Sequence, residues 1–174
     1  MTPEKSPDVR MVAAAAITVA VVTGACAGAD FESVIDADVR IAAGGATFSP
    51  AGVRDPVGCA RRLTRLLGEA RAKEIMLGGR TVSAADALRL GLVTRVVPAP
   101  EIGEAVSALE AGLRALPPLA LRAVRDAVHA TRDLTPREAL ALEHEHFRRL
   151  IATRDHKAAG AAFFGGREPT FTGQ

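Results

Sequence analysis

The sequence predicts an α/β core followed by a helical region, and three observations carry that prediction. Residues 18–22, Thr-Val-Ala-Val-Val, form a β-branched block of the kind buried on both faces of a parallel sheet. Between residues 11 and 98, apolar blocks of strand length alternate with stretches of helical length, as parallel strands joined by helical crossovers require. After Pro98, apolar residues recur only at three- and four-residue steps. The expected organisation is a disordered N-terminus over 1–10, the α/β core over 11–98 and a helical region over 99–174.

The elements follow in order. Residues 1–10 are polar and contain two prolines. The alanine-rich stretch 11–16 reads as the tail of a helix leading into the strand 18–22. Residues 24–30 form a Gly/Ala-rich turn, 31–37 a short helix and 38–42 a second strand. Glycines and prolines make 43–56 a loop. An arginine-laced helix ends at Gly68 and a second at Gly78-Gly79, and a third, behind a polar cap of Thr81 and Ser83, closes at Gly91 before an apolar strand stopped by Pro98. Ile102, Val106, Leu109, Leu113 and Leu116 lie on one helical face, and Pro117-Pro118 opens the next helix, with Leu121, Val124 and Val128 on one side. Thr135-Pro136-Arg137-Glu138 is a capping box that starts a helix running to about residue 152. A shorter helix is expected over 157–164.

Composition narrows the function. Net charge is +2, from 22 basic and 20 acidic residues, which leaves no electrostatic footprint for nucleic acid. Trp and Tyr are absent, so single strands would find few stacking platforms. Cys26 and Cys59 fit no metal spacing and read as small buried hydrophobes. His144-Glu145-His146 resembles a ligand cluster, but side chains two apart diverge on a helix, so no metal is expected. Arg61, Arg62 and Arg65 read as a charged helix face rather than a phosphate site. The uncharged run 11–22, followed by Ala25-Cys26-Ala27, is laid out like an export signal. Glu4 and Asp8 cancel Lys5 and Arg10 in its flank, and it is shorter than the roughly 20 residues of a membrane span. A cytoplasmic protein without membrane contact is expected.

Gly68, Ala72, Glu74, Gly79, Arg80, Ala84, Ala87 and Gly91-Leu92-Val93 occur in an order that resembles the enoyl-CoA hydratase/isomerase (crotonase) family. The same register takes in Gly24-Ala25-Cys26-Ala27-Gly28-Ala29-Asp30-Phe31-Glu32, similar to the family's glycine-rich turn. At the far end it takes in Glu143, Phe147, Asp155, Ala162-Phe163, Arg167, Pro169, Phe171 and Gly173. The resemblance implies the C-terminal part of a crotonase-like ββα spiral followed by a helical oligomerisation region. It implies enolate chemistry on an acyl-CoA thioester, with coenzyme A entering as part of the substrate and no separate cofactor.

By the same resemblance, the Ala29 N–H is an oxyanion donor at a helix N-terminus and Glu32 the acid/base. Gly28, Asp30 and Phe48 are the substrate-binding candidates. Two positions depart from the pattern. Asp30 stands where the family has glycine, and would oppose a nearby enolate unless its carboxylate points away. Gly52 stands where a second glutamate is expected, with Asp55 able to replace it only in a rebuilt loop. The family's other oxyanion N–H comes from a segment before this register, so a weakly active chain, or one completed by a partner, is expected. The implied partners are further copies in a trimer or hexamer, or a full-length homologue. A non-catalytic assembly subunit is the alternative, and a secreted or lipidated protein the less favoured one.

Overall fold

In the computed structural model of the chain, residues 8–131 and 133–174 are described. Two β-branched strands set the frame: β2 (Ile17–Val22) pairs in parallel with β4 (Val39–Ala43), Val19 opposite Val39 through Val22 opposite Ala42. Asp38 fixes the register at one end, its carboxylate accepting from the Thr18 N–H at 2.7 Å and hydroxyl at 2.8 Å. β7 (Arg95–Val97) lies parallel on the far side of β4. Beside β2 lies β1 (Val9–Ala14), which completes a four-stranded sheet in the order β1-β2-β4-β7. The Thr23 N–H donates to Asp8 O at 2.8 Å, so β1 runs antiparallel to β2.

Residues 11–16 are therefore not the tail of a helix. They are most of β1 and its turn, Ala15-Ala16, both residues having positive φ (49° and 71°). That is the geometry of a two-residue hairpin turn matched to strand twist. The expected disorder over 1–10 falls mostly outside the described residues, and Val9 and Arg10 already belong to β1.

A second, smaller sheet forms inside stretches that read as turn and loop. β3 (Ala25–Cys26) pairs in parallel with β5 (Thr47–Phe48), and β5 pairs antiparallel with β6 (Val82–Ser83). Two-residue strands carry no period of their own, which is why sequence alone assigns them to loops.

Four helices pack here: α1 (Gly28–Asp36), α2 (Pro56–Leu67), α3 (Glu69–Gly78) and α4 (Ala84–Leu90). Their buried faces supply Phe31, Ile35, Leu63 and Ile75 to a core with Val22, Phe48, Val82, Leu92 and Val93. Full burial of such an aliphatic or Phe side chain contributes about 1.5–3 kcal/mol, which suits a chain that builds its interior without Trp or Tyr. Arg40 is buried in β4, its Nε donating to Leu92 O at 2.7 Å and Nη1 to Ala37 O, so its charge ties the strand to two chain reversals.

The chain divides into two compact units, one holding residues 8–13 and 18–108, the other 14–17 and 109–174. A 3₁₀ turn (Ala99–Glu101) leads into α5 (Ile102–Arg114). The second unit contains α6 (Pro118–Ala130), α7 (Pro136–Ile151) and α8 (Arg154–Phe164), which begins three residues earlier than the pattern suggests because Thr153 caps it. The capping box forms as expected, Thr135 and Glu138 satisfying each other's main-chain N–H groups.

Buried Asp155 anchors the tail. Its carboxylate accepts from the Thr172 N–H at 2.8 Å, the Thr172 hydroxyl at 3.3 Å and the Gly173 N–H at 2.8 Å. Arg125 Nη1 donates to Ala16 O at 2.6 Å, holding the hairpin turn within this unit. An apolar cavity of about 250 Å³ lies among Leu119, Ala120, Phe147, Ile151, Ala159 and Phe171. Among the described residues, no helix is long and apolar enough to cross a membrane.

Candidate functional site

The turn after β2 delivers the chain into α1 with no side-chain cap, Ala27 being extended. The first N–H groups of a helix have no partner within it, so each must look elsewhere. Gly28 N donates to Ala51 O at 2.8 Å, while Asp30 N and Phe31 N turn back to Ala27 O at 3.2 and 3.4 Å. Among the described residues, none accepts from the Ala29 N–H. It is the open donor of the first turn, at the end of α1 where the helix dipole favours negative charge.

Gly28 and Gly52 bring the turn and the 49–53 loop into contact. Both have positive φ, 57° and 75°. A Cβ at Gly28 would lie 3.1 Å from Gly52 O, and one at Gly52 3.7 Å from Gly28 Cα. The position expected to hold a second acid thus lies against the turn, but offers only main chain. Asp55 does not replace it, being the N-cap of α2, with its carboxylate accepting from Gly58 N at 2.9 Å.

Glu32 is half-buried one turn along α1. Its Oε1 accepts from the main-chain N–H groups of Arg54 and, at 3.1 Å, Asp55. Oε2 has no protein partner among the described residues. One oxygen fixes the carboxylate and the other stays available. These two donors are not visible in the sequence, because any residue supplies an N–H; the one hint is Asp55-Pro56, which marks a helix start nearby.

Asp30 and Glu32 flank Phe31, whose ring is fully buried. Side chains two apart on a helix diverge by roughly 200°, so the two carboxylates leave opposite sides of the buried stripe. Asp30 is felt at Cys26: burial, then the Asp30 charge, pushes that thiol up to about 12. Burial also raises the Cys59 thiol. Both cysteines are free and buried, as small hydrophobes are. Phe48 has no exposed surface, and its strand partner is Cys26. Phe48 also pairs with Val82 on its other side, so its main chain is held in the small sheet while its ring backs the turn from the core. Arg62 pairs with Asp36 at 3.1 Å across α1 and α2, and Glu145 of the His-Glu-His run pairs with Arg149.

The chain is similar to known proteins over most of its length. The enoyl-CoA hydratase/isomerase family model matches residues 9–174. A probable enoyl-CoA hydratase of Mycobacterium bovis is 36% identical over 159 residues, covering 89% of this chain and 62% of its own length. The 2,3-dehydroadipyl-CoA hydratase of Escherichia coli is 31% identical, with 90% of this chain and 63% of that protein covered. A crystal structure of an enoyl-CoA hydratase subunit from Geobacillus kaustophilus superposes with a TM-score of 0.81 at 35% identity, over 88% of this chain and 62% of that one. The chain therefore spans about three-fifths of the length of the relatives it matches.

Proposed function

Because the chain belongs to the enoyl-CoA hydratase/isomerase family, we propose that it acts on acyl-CoA thioesters by enolate chemistry at the N-terminus of α1. The observation that carries this reading is the open Ala29 N–H on the same helix as a carboxylate with one free oxygen. The thioester carbonyl oxygen would accept from Ala29 N–H, and the helix end would stabilise the charge that oxygen gains as the enolate forms. Glu32 Oε2 would carry the proton to or from the substrate, Oε1 remaining on the 54–55 main chain to hold the carboxylate in place. Gly28 would let the acyl group approach the backbone closely, Phe48 would support the floor, and Asp30 would line the opposite flank. No group beyond the coenzyme A of the substrate is called for.

The test compares wild type with Glu32→Gln on crotonyl-CoA and on a 3-enoyl-CoA. The expected loss is about 10²–10⁴-fold, the usual range for a general acid or base. Equal rates would remove Glu32 from the mechanism.

A second reading, a non-catalytic subunit assembling with copies of itself or with a full-length homologue, is favoured by two observations. Gly52 carries no acid, and the helical unit leaves Val124, Val128, Phe147, Phe163 and Phe164 exposed. Residues 99–174 would supply the assembly surface. Native mass spectrometry from the source cells, together with calorimetry against a CoA thioester, separates the readings: a hetero-oligomer that binds no thioester through this chain supports the second.

A further inference from the structure

The turn that presents Ala29 is fastened along one flank by main chain alone. Thr47 N donates to Gly24 O at 3.1 Å, Ser49 N to Cys26 O at 2.9 Å and Gly28 N to Ala51 O at 2.8 Å. Along the other flank, among the described residues, the fastening comes from Asp8, just before β1. Asp8 O accepts from the Thr23 N–H at 2.8 Å and from the Thr23 hydroxyl at 3.2 Å. Asp8 Oδ2 accepts from the Ala25 N–H at 3.1 Å. Its carboxylate lies directly over Gly24, where a Cβ would fall 2.5 and 2.6 Å from the two oxygens. The side chain thus occupies the space that only a glycine leaves open, and it holds the turn at its entry as β5 holds it along its length.

We propose that Asp8 is a positioning residue for the oxyanion turn, setting through Ala25 and Gly24 where the Ala29 N–H points. The proposal rests on the enolate reading of the site. Catalysis is sensitive to such placement, a misplacement of about 1 Å costing on the order of 10²-fold, although Asp8 need never meet the substrate.

The experiment uses the whole chain and three variants, Asp8→Ala, Asp8→Asn and Gly24→Ala, with Asp8→Ala/Gly24→Ala closing a cycle. Turnover of crotonyl-CoA and a 3-enoyl-CoA is measured beside amide exchange at Gly28, whose N–H reports the seating of the turn on Ala51. For Asp8→Ala we expect kcat lower by about 10- to 100-fold with KM within about threefold, and Gly28 exchange faster by about tenfold. Asp8→Asn keeps an acceptor oxygen and should restore kcat to within about fivefold. Gly24→Ala expels the carboxylate, so it should mimic Asp8→Ala, and the double variant should be no worse than the poorer single. Asp8→Ala with wild-type kcat and unchanged Gly28 exchange would overturn the proposal, as would additive losses in the cycle. If Asp8→Ala does not fold, Asp8→Asn and Gly24→Ala decide: losses in Gly24→Ala and none in Asp8→Asn support it, and wild-type behaviour in both overturns it. If wild type turns over neither substrate, the functional reading falls by itself, and Gly28 exchange alone decides whether Asp8 seats the turn.

Discussion

Gly52 is the residue at which the proposed chemistry can be put to a direct test. Its φ of 75° belongs to glycine, yet a Cβ there would meet Gly28 Cα at 3.7 Å, an ordinary contact. Gly52→Glu therefore costs backbone strain of about 1–2 kcal/mol and little packing. We expect a melting temperature lower by about 2–8 °C, together with faster hydration of crotonyl-CoA if a second carboxylate is what the turn lacks. An unchanged rate in a folded variant would count against that. Asp155 makes a second prediction at this scale. The Thr172 N–H above all, against the opposing effect of burial and with help from Gly173 N–H and the Thr172 hydroxyl, holds its carboxyl below the usual range. A carboxyl with a lower pKa in the folded state stabilises above its unfolded value, near 3.9, and stops doing so as pH falls through the folded one. The amide resonances of Thr172 and Gly173 should hold steady from pH 7 to 5 and shift only below about pH 4; movement between 7 and 5 would refute the anchor. Glu32 is a candidate from its place in an ordered motif, whereas the Arg54 and Asp55 N–H groups that hold its carboxylate were not readable, since a main-chain N–H has no signature in a sequence.

At the scale of elements, the same contrast separates local from non-local signals. The capping box at Thr135 and the glycine stops at Gly79 and Gly91 were readable because their partners lie within a few residues. The β1–β2 hairpin was not. Four alanines in a row suit a helix, and only pairing with β2 and the hold of Arg125 on Ala16 O make them a strand end and a turn. Two alanines with positive φ cost about 1–2 kcal/mol each. Replacing Ala15-Ala16 with Asn-Gly, the pair that such turns prefer, should raise the melting temperature by about 2–6 °C. A fall would mean that these residues do not form this turn. The strands β3, β5 and β6 stayed hidden for a related reason: each is two residues long and exists through its neighbours.

For the whole molecule, the second unit takes up residues 14–17 as well as 109–174, and the change between units falls inside α5. Helical periodicity runs through that point without a break, so no sequence signal marks it. The family register, by contrast, spanned the chain because it depends on the order of many weakly specific residues, and the family match likewise covers residues 9–174.

The two buried thiols give this division a practical use. Cys26 and Cys59 both lie in the first unit, and without Trp or Tyr the chain has little fluorescence of its own to report unfolding. A thiol reagent would act as a clock for that unit alone. Native protein should label slowly at pH 8, at the rate at which the core opens, and denaturant should bring both cysteines into reaction. If the helical unit melts first by circular dichroism while labelling stays slow, the two units unfold in separate steps, and the turn before α1 keeps its shape for as long as the first unit stays closed.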